Sequence, residues 1–364
     1  MSEFLVEVVQ IAKISPIEEA DRIEVAFVGD YQVVVGKGEF SVGDLAAYIP
    51  EGSIVPEDIL KELNLVGKLA GNKKDRVKAI KLRSTLSQGL LYPLKDGKLI
   101  RNNFTMDVKL GDDVATHLGI TKWNPPIPTQ FEGLAHNIGL NYASSYEFDN
   151  IKRHPDDLEG RQVQVTEKIH GTFMAILILP KQAPVVDGFF GGKVFVTSKG
   201  LLKKGQVLLD KPGNESNSYV QALKKLYDAH PKFKAFIDGV NSDVPLTQPI
   251  YILGELFGNN IQDLKYSQPE HTFAVFDVWG DGKFMGPQEA QDFAAAVGLN
   301  HVPVYYEGEF NKQDLDVLTT GETAIGDDPQ IREGVVFKTL DEPRIVLKSV
   351  SEQYLLRKDG TEYV

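Results

Sequence analysis

The sequence predicts an α+β chain in two parts. A small β-barrel spans 1–122, a proline-rich linker covers 123–135, and a larger domain of antiparallel sheets and helices fills 136–364. Three observations carry this. The first third of the chain consists of short Val- and Ile-rich runs separated by turn residues. Pro125, Pro126 and Pro128 then crowd into four positions, which neither a helix interior nor a central strand accommodates. Beyond them strand-like runs dominate and the helical stretches come in clumps, which argues against a doubly wound α/β fold.

In chain order, VEVVQIAKI, RIEVAFV, YQVVVG and DLAAYIP read as strands, and GKGEFSVGD breaks two of them apart with glycines. EDILKELNLV (57–66) reads as a short helix capped by Asp58 or Pro56. RVKAIKLRSTLSQGLLYPL reads as a strand pair. Many short strands with one helix suggest a closed OB-like barrel. In the second part QVQVTEKI, FMAILIL, KVFVTSKG, PIYILGELFG, TFAVFDVWG, EGVVFKTL and RIVLKSV are strand-like. SNSYVQALKKLYDAHPKF and GPQEAQDFAAAVGL have helical apolar spacing.

Composition narrows the function. With 364 residues the chain has room for two ordinary cores. It has no cysteine, which excludes disulfides, thiolate zinc sites and a cysteine nucleophile. No apolar run reaches the roughly 20 residues of a membrane helix, and the N-terminus lacks a basic leader, so a cytoplasmic location without membrane partners is expected. The net charge is -12, yet between Lys68 and Arg83 seven bases face the single acid Asp75. Within that stretch Arg76, Lys78, Lys81 and Arg83, with Ser84, Ser87 and Gln88 nearby, suit the phosphates and 2′-hydroxyls of RNA.

The second part carries polar residues inside apolar strands, where each costs stability unless paired or used. Lys168 stands in TEKIHGTF, with Gly171 three residues on. Ser198-Lys199-Gly200, Glu255 in GELFG, Phe276-Asp277, Glu333-Gly334 and Lys348 follow. Strand alternation lets such residues line one sheet face, and lysines, carboxylates and an aromatic together suit a nucleoside triphosphate with its Mg²⁺. Taken singly, each is better read as a strand-end salt bridge.

The ordered set Lys168-Ile-His-Gly171, Ser198-Lys199-Gly200, Gly254-Glu255-Leu-Phe257, Phe276-Asp277, Glu333-Gly-Val-Val and Leu347-Lys348 resembles the motifs of covalent nucleotidyltransferases. EKIHGT with GELFG is most similar to the RNA ligase branch. The barrel before rather than after the motifs, and LGITKWNPPIP between the parts, resemble an ATP-dependent subgroup with an N-terminal OB domain. That implies a C-terminal adenylyltransferase domain of the ATP-grasp-like ligase type, ATP with Mg²⁺ or Mn²⁺ as cofactors, and nicked or broken structured RNA as partner; the sequence does not reveal the oligomeric state, and a monomer is the expectation.

The resemblance also implies roles. Lys168 attacks the α-phosphorus of ATP. A free lysine is mostly protonated at pH 7 and a poor nucleophile, so nearby cations such as Lys199 and Lys348 assist it. Glu167 and Gly171 lie beside the nucleotide, Phe276 stacks on adenine, and Glu255 accepts a ribose hydroxyl. Glu333 and Asp277 serve the metal. The last motif often has Lys-x-Lys where this chain has Val346-Leu347-Lys348, and Arg344, two residues before Val346, is expected on the same strand face as a substitute. Lys199 stands where some relatives carry Arg, without the bidentate fork. Two other readings stay open. One is a DNA-nick ligase, against which the lack of an OB domain after Lys348 argues. The other is a non-catalytic RNA-binding protein, since EEADRIEVA and VGDLAAYIPEGSIVP also resemble tRNA-binding OB modules; intact Lys168, Glu333 and Lys348 argue against it.

Overall fold

The computed structural model describes residues 4–83, 85–101, 104–123, 134–242, 246–328 and 330–357. Pro125, Pro126 and Pro128, on which the expected linker rests, and Ser84 lie outside the described residues. The chain forms two units. One comprises 2–124 with 152–155, the other 125–151 with 156–364.

In the first unit Glu7–Gln10, Leu45–Ile49 and Leu90–Pro93 form one antiparallel sheet, and Lys13–Pro16, Ile23–Val28 and Tyr31–Gly36 form a second. The first expected strand is thus two, interrupted at Ile11-Ala12. Leu45–Ile49 is buried on both faces. Ala47 and Ile49 join a cluster with Val6, Val8, Ile59, Leu99 and Leu118, while Ala46 and Tyr48 join another with Ala26, Val33 and Phe40. Alternation sends successive residues to opposite cores, which is the packing of a small barrel. The helix is shorter than its sequence suggests, Glu57–Glu62, with Pro56 at the N-cap.

The second unit is built on two sheets. The larger runs in the order 135–137, 206–208, 194–198, 172–178, 250–257, 272–280 and 283–284, with 300–301 beside 272–280. Helices Ser218–Ala229, Pro231–Ser242 and Pro287–Val297 cover one face through Val220, Leu223, Phe233, Ile237, Ala290 and Ala294. The single helix expected over 216–233 breaks at Pro231, which cannot sit in a helix interior but opens a new one. The smaller sheet runs in the order Asp149–Asn150, Val346–Val350, Gly334–Thr339, Gln162–Lys168 and Val304–Glu309. Val163, Val165, Val335, Phe337 and Leu347 pack on its inner face with Phe310, Ile151 and Leu158. No helix among the described residues is long and apolar enough to cross a membrane.

Candidate active site

The site starts where one sheet hands over to the other. Strand Gln162–Lys168 belongs to the smaller sheet and Thr172–Ile178 to the larger. Ile169-His170-Gly171 is the crossover. Gly171 is required there by close approach: a Cβ on it would stand 2.4 Å from the Leu256 carbonyl oxygen and 2.9 Å from Glu255 Cγ. Gly334 answers a similar need, since its Cβ would lie 2.0 Å from the Ser349 oxygen.

Register decides which side chains share the outer face. Lys168 pairs with Gly334, Thr166 with Val336 and Gln164 with Lys338, and across the next strand Val336 pairs with Lys348. Directly paired residues point the same way. Lys168, Lys338 and Lys348 therefore rise from one face, opposite the Val163–Phe337 core. Lys168 Nζ meets Glu333 Oε1 at 2.5 Å. Burial opposes ionisation of Glu333, but Lys168 and then His170 outweigh it and hold the carboxyl below its ordinary value. Glu255, on Ile250–Phe257 of the larger sheet, has the opposite balance. Burial pushes its carboxyl up to about 8, Glu333 adds to this, and Lys168 and Lys199 only partly offset it.

Glu167 lies on the inner face by alternation. Its carboxylate accepts from Tyr305 Oη at 2.6 Å, from Thr323 Oγ1 at 2.5 Å and from the Ala324 amide at 3.1 Å. It thereby fastens Thr323 and Ala324 to the strand. Phe276 sits at an irregularity in the pairing of 250–257 with 272–280. Its ring stacks on Tyr146 at 5.2 Å and 24° and leans on Phe173 at 5.9 Å. Lys199 opens the short helix Lys199–Leu202, capped by the Ser198 hydroxyl.

The surroundings of Asp277 bear on two expectations. Its carboxylate bonds Arg344 and Tyr146 Oη, the latter at 2.7 Å, with Lys338 Nζ at 3.7 Å. Two cations and a phenol thus crowd one oxygen, Oδ2, while Oδ1 accepts from the Val278 amide at 3.1 Å, so the carboxylate is engaged in the protein's own network. Arg344 in turn precedes the strand, which begins at Val346. Its guanidinium lies over Phe284 at 4.7 Å and is engaged by Asp277, which corrects the expectation that it shares the strand face of Lys348. Lys338, overlooked in the sequence, is the buried cation of this face: its Nζ also donates to the Phe276 carbonyl oxygen. The same signal that marked Lys168, a lysine within an apolar strand (VVFKTL), was there to find it. Among the described residues no three His, Cys, Asp or Glu side chains gather to hold a metal.

The basic stretch of the first unit divides. Lys81 and Arg83 are exposed and Lys78 is half-buried. Arg76 is a correction: it is buried, 4.0 Å over the Trp123 ring. Ser87 and Gln88 are buried too, with Ser87 Oγ accepting from the Val34 amide.

A family model described as RNA ligase matches residues 161–350, more than half of the chain. The chain belongs to the RNA ligase family. Every residue from Lys168 to Lys348 considered above falls inside that match, and an OB-fold domain model matches 5–94. Among solved structures, the fold of this RNA ligase family member is similar to that of Naegleria gruberi RNA ligase. A substituted, ligand-free form is 23% identical with a TM-score of 0.72 and covers 97% of each chain. A form with pyrophosphate is 23% identical at 0.71, over 97% of this chain and 98% of that one. A substituted form with ATP and manganese is 23% identical at 0.70, over 96% and 97%. No curated protein matches the sequence.

Proposed function

We propose that the chain is an ATP-dependent RNA ligase. It joins 3′-hydroxyl and 5′-phosphate ends, at nicks or breaks in structured RNA, through lysyl-AMP and RNA-adenylate. The observation that carries this is the Lys168–Glu333 pair at 2.5 Å, with Glu255 and Lys199 close enough to bias the charges, at the crossover between two sheets. The Naegleria enzyme's structures with ATP, manganese and pyrophosphate support the same reading.

In this reading Lys168 exchanges Glu333 for the triphosphate, loses a proton and attacks the α-phosphorus; pyrophosphate leaves. Lys348 stands two strands away on the same face and two residues off Lys168 in register, roughly 12 Å at 4.7–4.9 Å per strand and 3.3 Å per residue, and steadies the charge that gathers on the phosphorus oxygens. Phe276, backed by Tyr146, offers its open face to adenine. Glu255, neutral below about 8, meets the ribose hydroxyls without repelling the phosphates. The donor set suits Mg²⁺ or Mn²⁺, because such cations take one or two carboxylates and complete their shell with phosphate oxygens and water. Glu333, held ionised, is the carboxylate that fits. When bound, the metal neutralises charge on the departing pyrophosphate. Lys78, Lys81 and Arg83 supply phosphate contacts to RNA.

The test is incubation with α-labelled ATP followed by denaturing electrophoresis. The protein is expected to carry acid-labile, alkali-stable label mapping to Lys168, and Lys168→Ala to carry none. Label on another lysine overturns the assignment. Nicked RNA and DNA duplexes of one sequence then distinguish the two kinds of ligase.

A further inference from the structure

Past Val350 the chain leaves the region matched by the family model, yet it does not leave the site. The Ser351 amide donates to the Glu333 carbonyl oxygen at 2.8 Å. The short helix Glu352–Leu355 then turns Tyr354 inward until it is 2% exposed. Its hydroxyl lies 2.8 Å from His170 Nδ1, and its ring meets the imidazole edge-on at 5.3 Å and 66°. Arg357 covers the other side of the Tyr354 ring at 3.7 Å and grips Asp263 through Nε at 2.9 Å and a second nitrogen at 3.1 Å. Asp263 closes the ring of contacts at His170 Nε2, 2.6 Å away.

His170 is thus held at both nitrogens while 5% exposed. A carboxylate only accepts, so Nε2 carries a proton toward Asp263. Nδ1 is left facing the Tyr354 hydroxyl and, at 3.5 Å, Glu333 Oε2. Glu333 is the carboxylate that Lys168 touches. Rotation of the imidazole would leave buried nitrogens unpaired, which costs free energy, so the orientation is set by Asp263 and Tyr354 together. The backbone of His170 is fixed as well, its amide donating to Tyr266 Oη at 2.6 Å.

We propose that Tyr354, Arg357 and Asp263 are positioning residues that act through His170: the C-terminal turn clamps the imidazole against Glu333 and so sets the carboxylate that faces the nucleophilic lysine. This rests on the reading of Lys168 as the nucleophile. Partners that orient a reacting or ligating group typically contribute 10- to 100-fold. A plain structural anchor would instead act on folding, whatever stands at position 170.

The experiment is a double-mutant cycle in the full chain, read as single-turnover transfer of label from α-labelled ATP at several ATP concentrations. Tyr354→Phe keeps the ring over Arg357 and removes only the hydroxyl. It is expected to lower the saturating rate about tenfold, to leave the ATP concentration for half-maximal rate within about twofold, and to leave the melting temperature unchanged. Added to His170→Ala, it is expected to change the rate by less than about twofold, because residues acting as one unit are non-additive. An unaltered rate in Tyr354→Phe, or a full further tenfold loss on top of His170→Ala, overturns the proposal. If Tyr354→Phe melts early, Asp263→Asn takes its place in the same cycle with the same expected and overturning outcomes. Failure of the unsubstituted protein to take label overturns the parent reading of Lys168 and this one with it. A labelled parent with an indifferent Tyr354→Phe sinks this one alone.

Discussion

Two lysines rise from the same face of the smaller sheet, each beside a carboxylate, and their surroundings give the two pairs different work. Lys168 and Glu333 have side chains 26% and 11% exposed, whereas Lys338 and Asp277 are both 1% exposed. The first pair is open to solvent, so in the proposed reaction it can trade its partner for a ligand's phosphates. The second is sealed. Asp277 is shared among Lys338, Arg344 and Tyr146, and Lys338 spends another donor on the Phe276 carbonyl. Burial pushes the Lys338 ammonium below its ordinary value, and Arg344 adds to this, while Asp277 opposes it. A charge there persists only with a full set of partners. One pair is chemistry held in readiness. The other fixes the strand from which Phe276 projects.

The comparison breaks most sharply at Lys348 and Arg344, which the sequence pattern assigned to one strand face. Lys348→Ala should lower single-turnover adenylylation by about 100-fold or more, the usual effect of removing one preorganised group from a charged transition state. Arg344→Ala should lower the saturating rate by less than about tenfold, because its guanidinium serves Asp277. Equal losses in the two rates would show that Arg344 reaches the phosphates during the reaction and that the sealed pair is not sealed in the working enzyme.

A second contrast concerns stability. Lys338→Met leaves Asp277 with one cation fewer and the Phe276 carbonyl without its lysine donor, a loss of about 2–4 kcal/mol, which appears as a drop of several degrees in melting temperature. Lys168→Met removes a more exposed lysine whose carboxylate partner keeps His170, and its melting temperature should stay within a few degrees of the unsubstituted chain. Thermal melts of the two variants side by side decide this. A deeper loss from Lys168→Met would reverse the roles given to the pairs.

Much of this was legible in the sequence, for a physical reason. Strands covered on both sides, such as Val194–Ser198 and Ile250–Phe257, declare themselves by apolar runs. Val304–Glu309 does not, because it is an edge strand whose alternate residues, Glu307 and Glu309 among them, meet solvent. Lys168, Glu255 and Lys348 were legible because each is a local conflict, a charge within an apolar strand. Their partners were not. Asp263 lies 93 residues from His170 and Tyr354 lies 184, and nothing local marks either as a neighbour. Arg76 shows the converse, since a basic run predicts an exposed face and cannot tell which member turns inward to stack on Trp123.

The smallest expected effect separates Glu255 from both pairs. Its carboxyl is raised to about 8 from an ordinary 4.5, so between those values the folded chain binds a proton that the unfolded chain has released. Stability is fully present below about 4.5 and is lost as pH rises toward 8. A permanently neutral side chain removes that loss. Glu255→Gln should therefore melt a few degrees above the unsubstituted chain at pH 8 and close to it at pH 5, while labelling by ATP weakens for want of a carboxyl at the ribose. Melting curves at the two pH values test the sign. A Glu255→Gln chain that gains as much at pH 5 as at pH 8 would mean that packing, not ionisation, governs this residue, and one that gains nothing at pH 8 would mean that Lys168 and Lys199 already neutralise it. In the first case Glu255 belongs with the sealed network beneath Phe276; in the second it belongs with the exchangeable pair beside it.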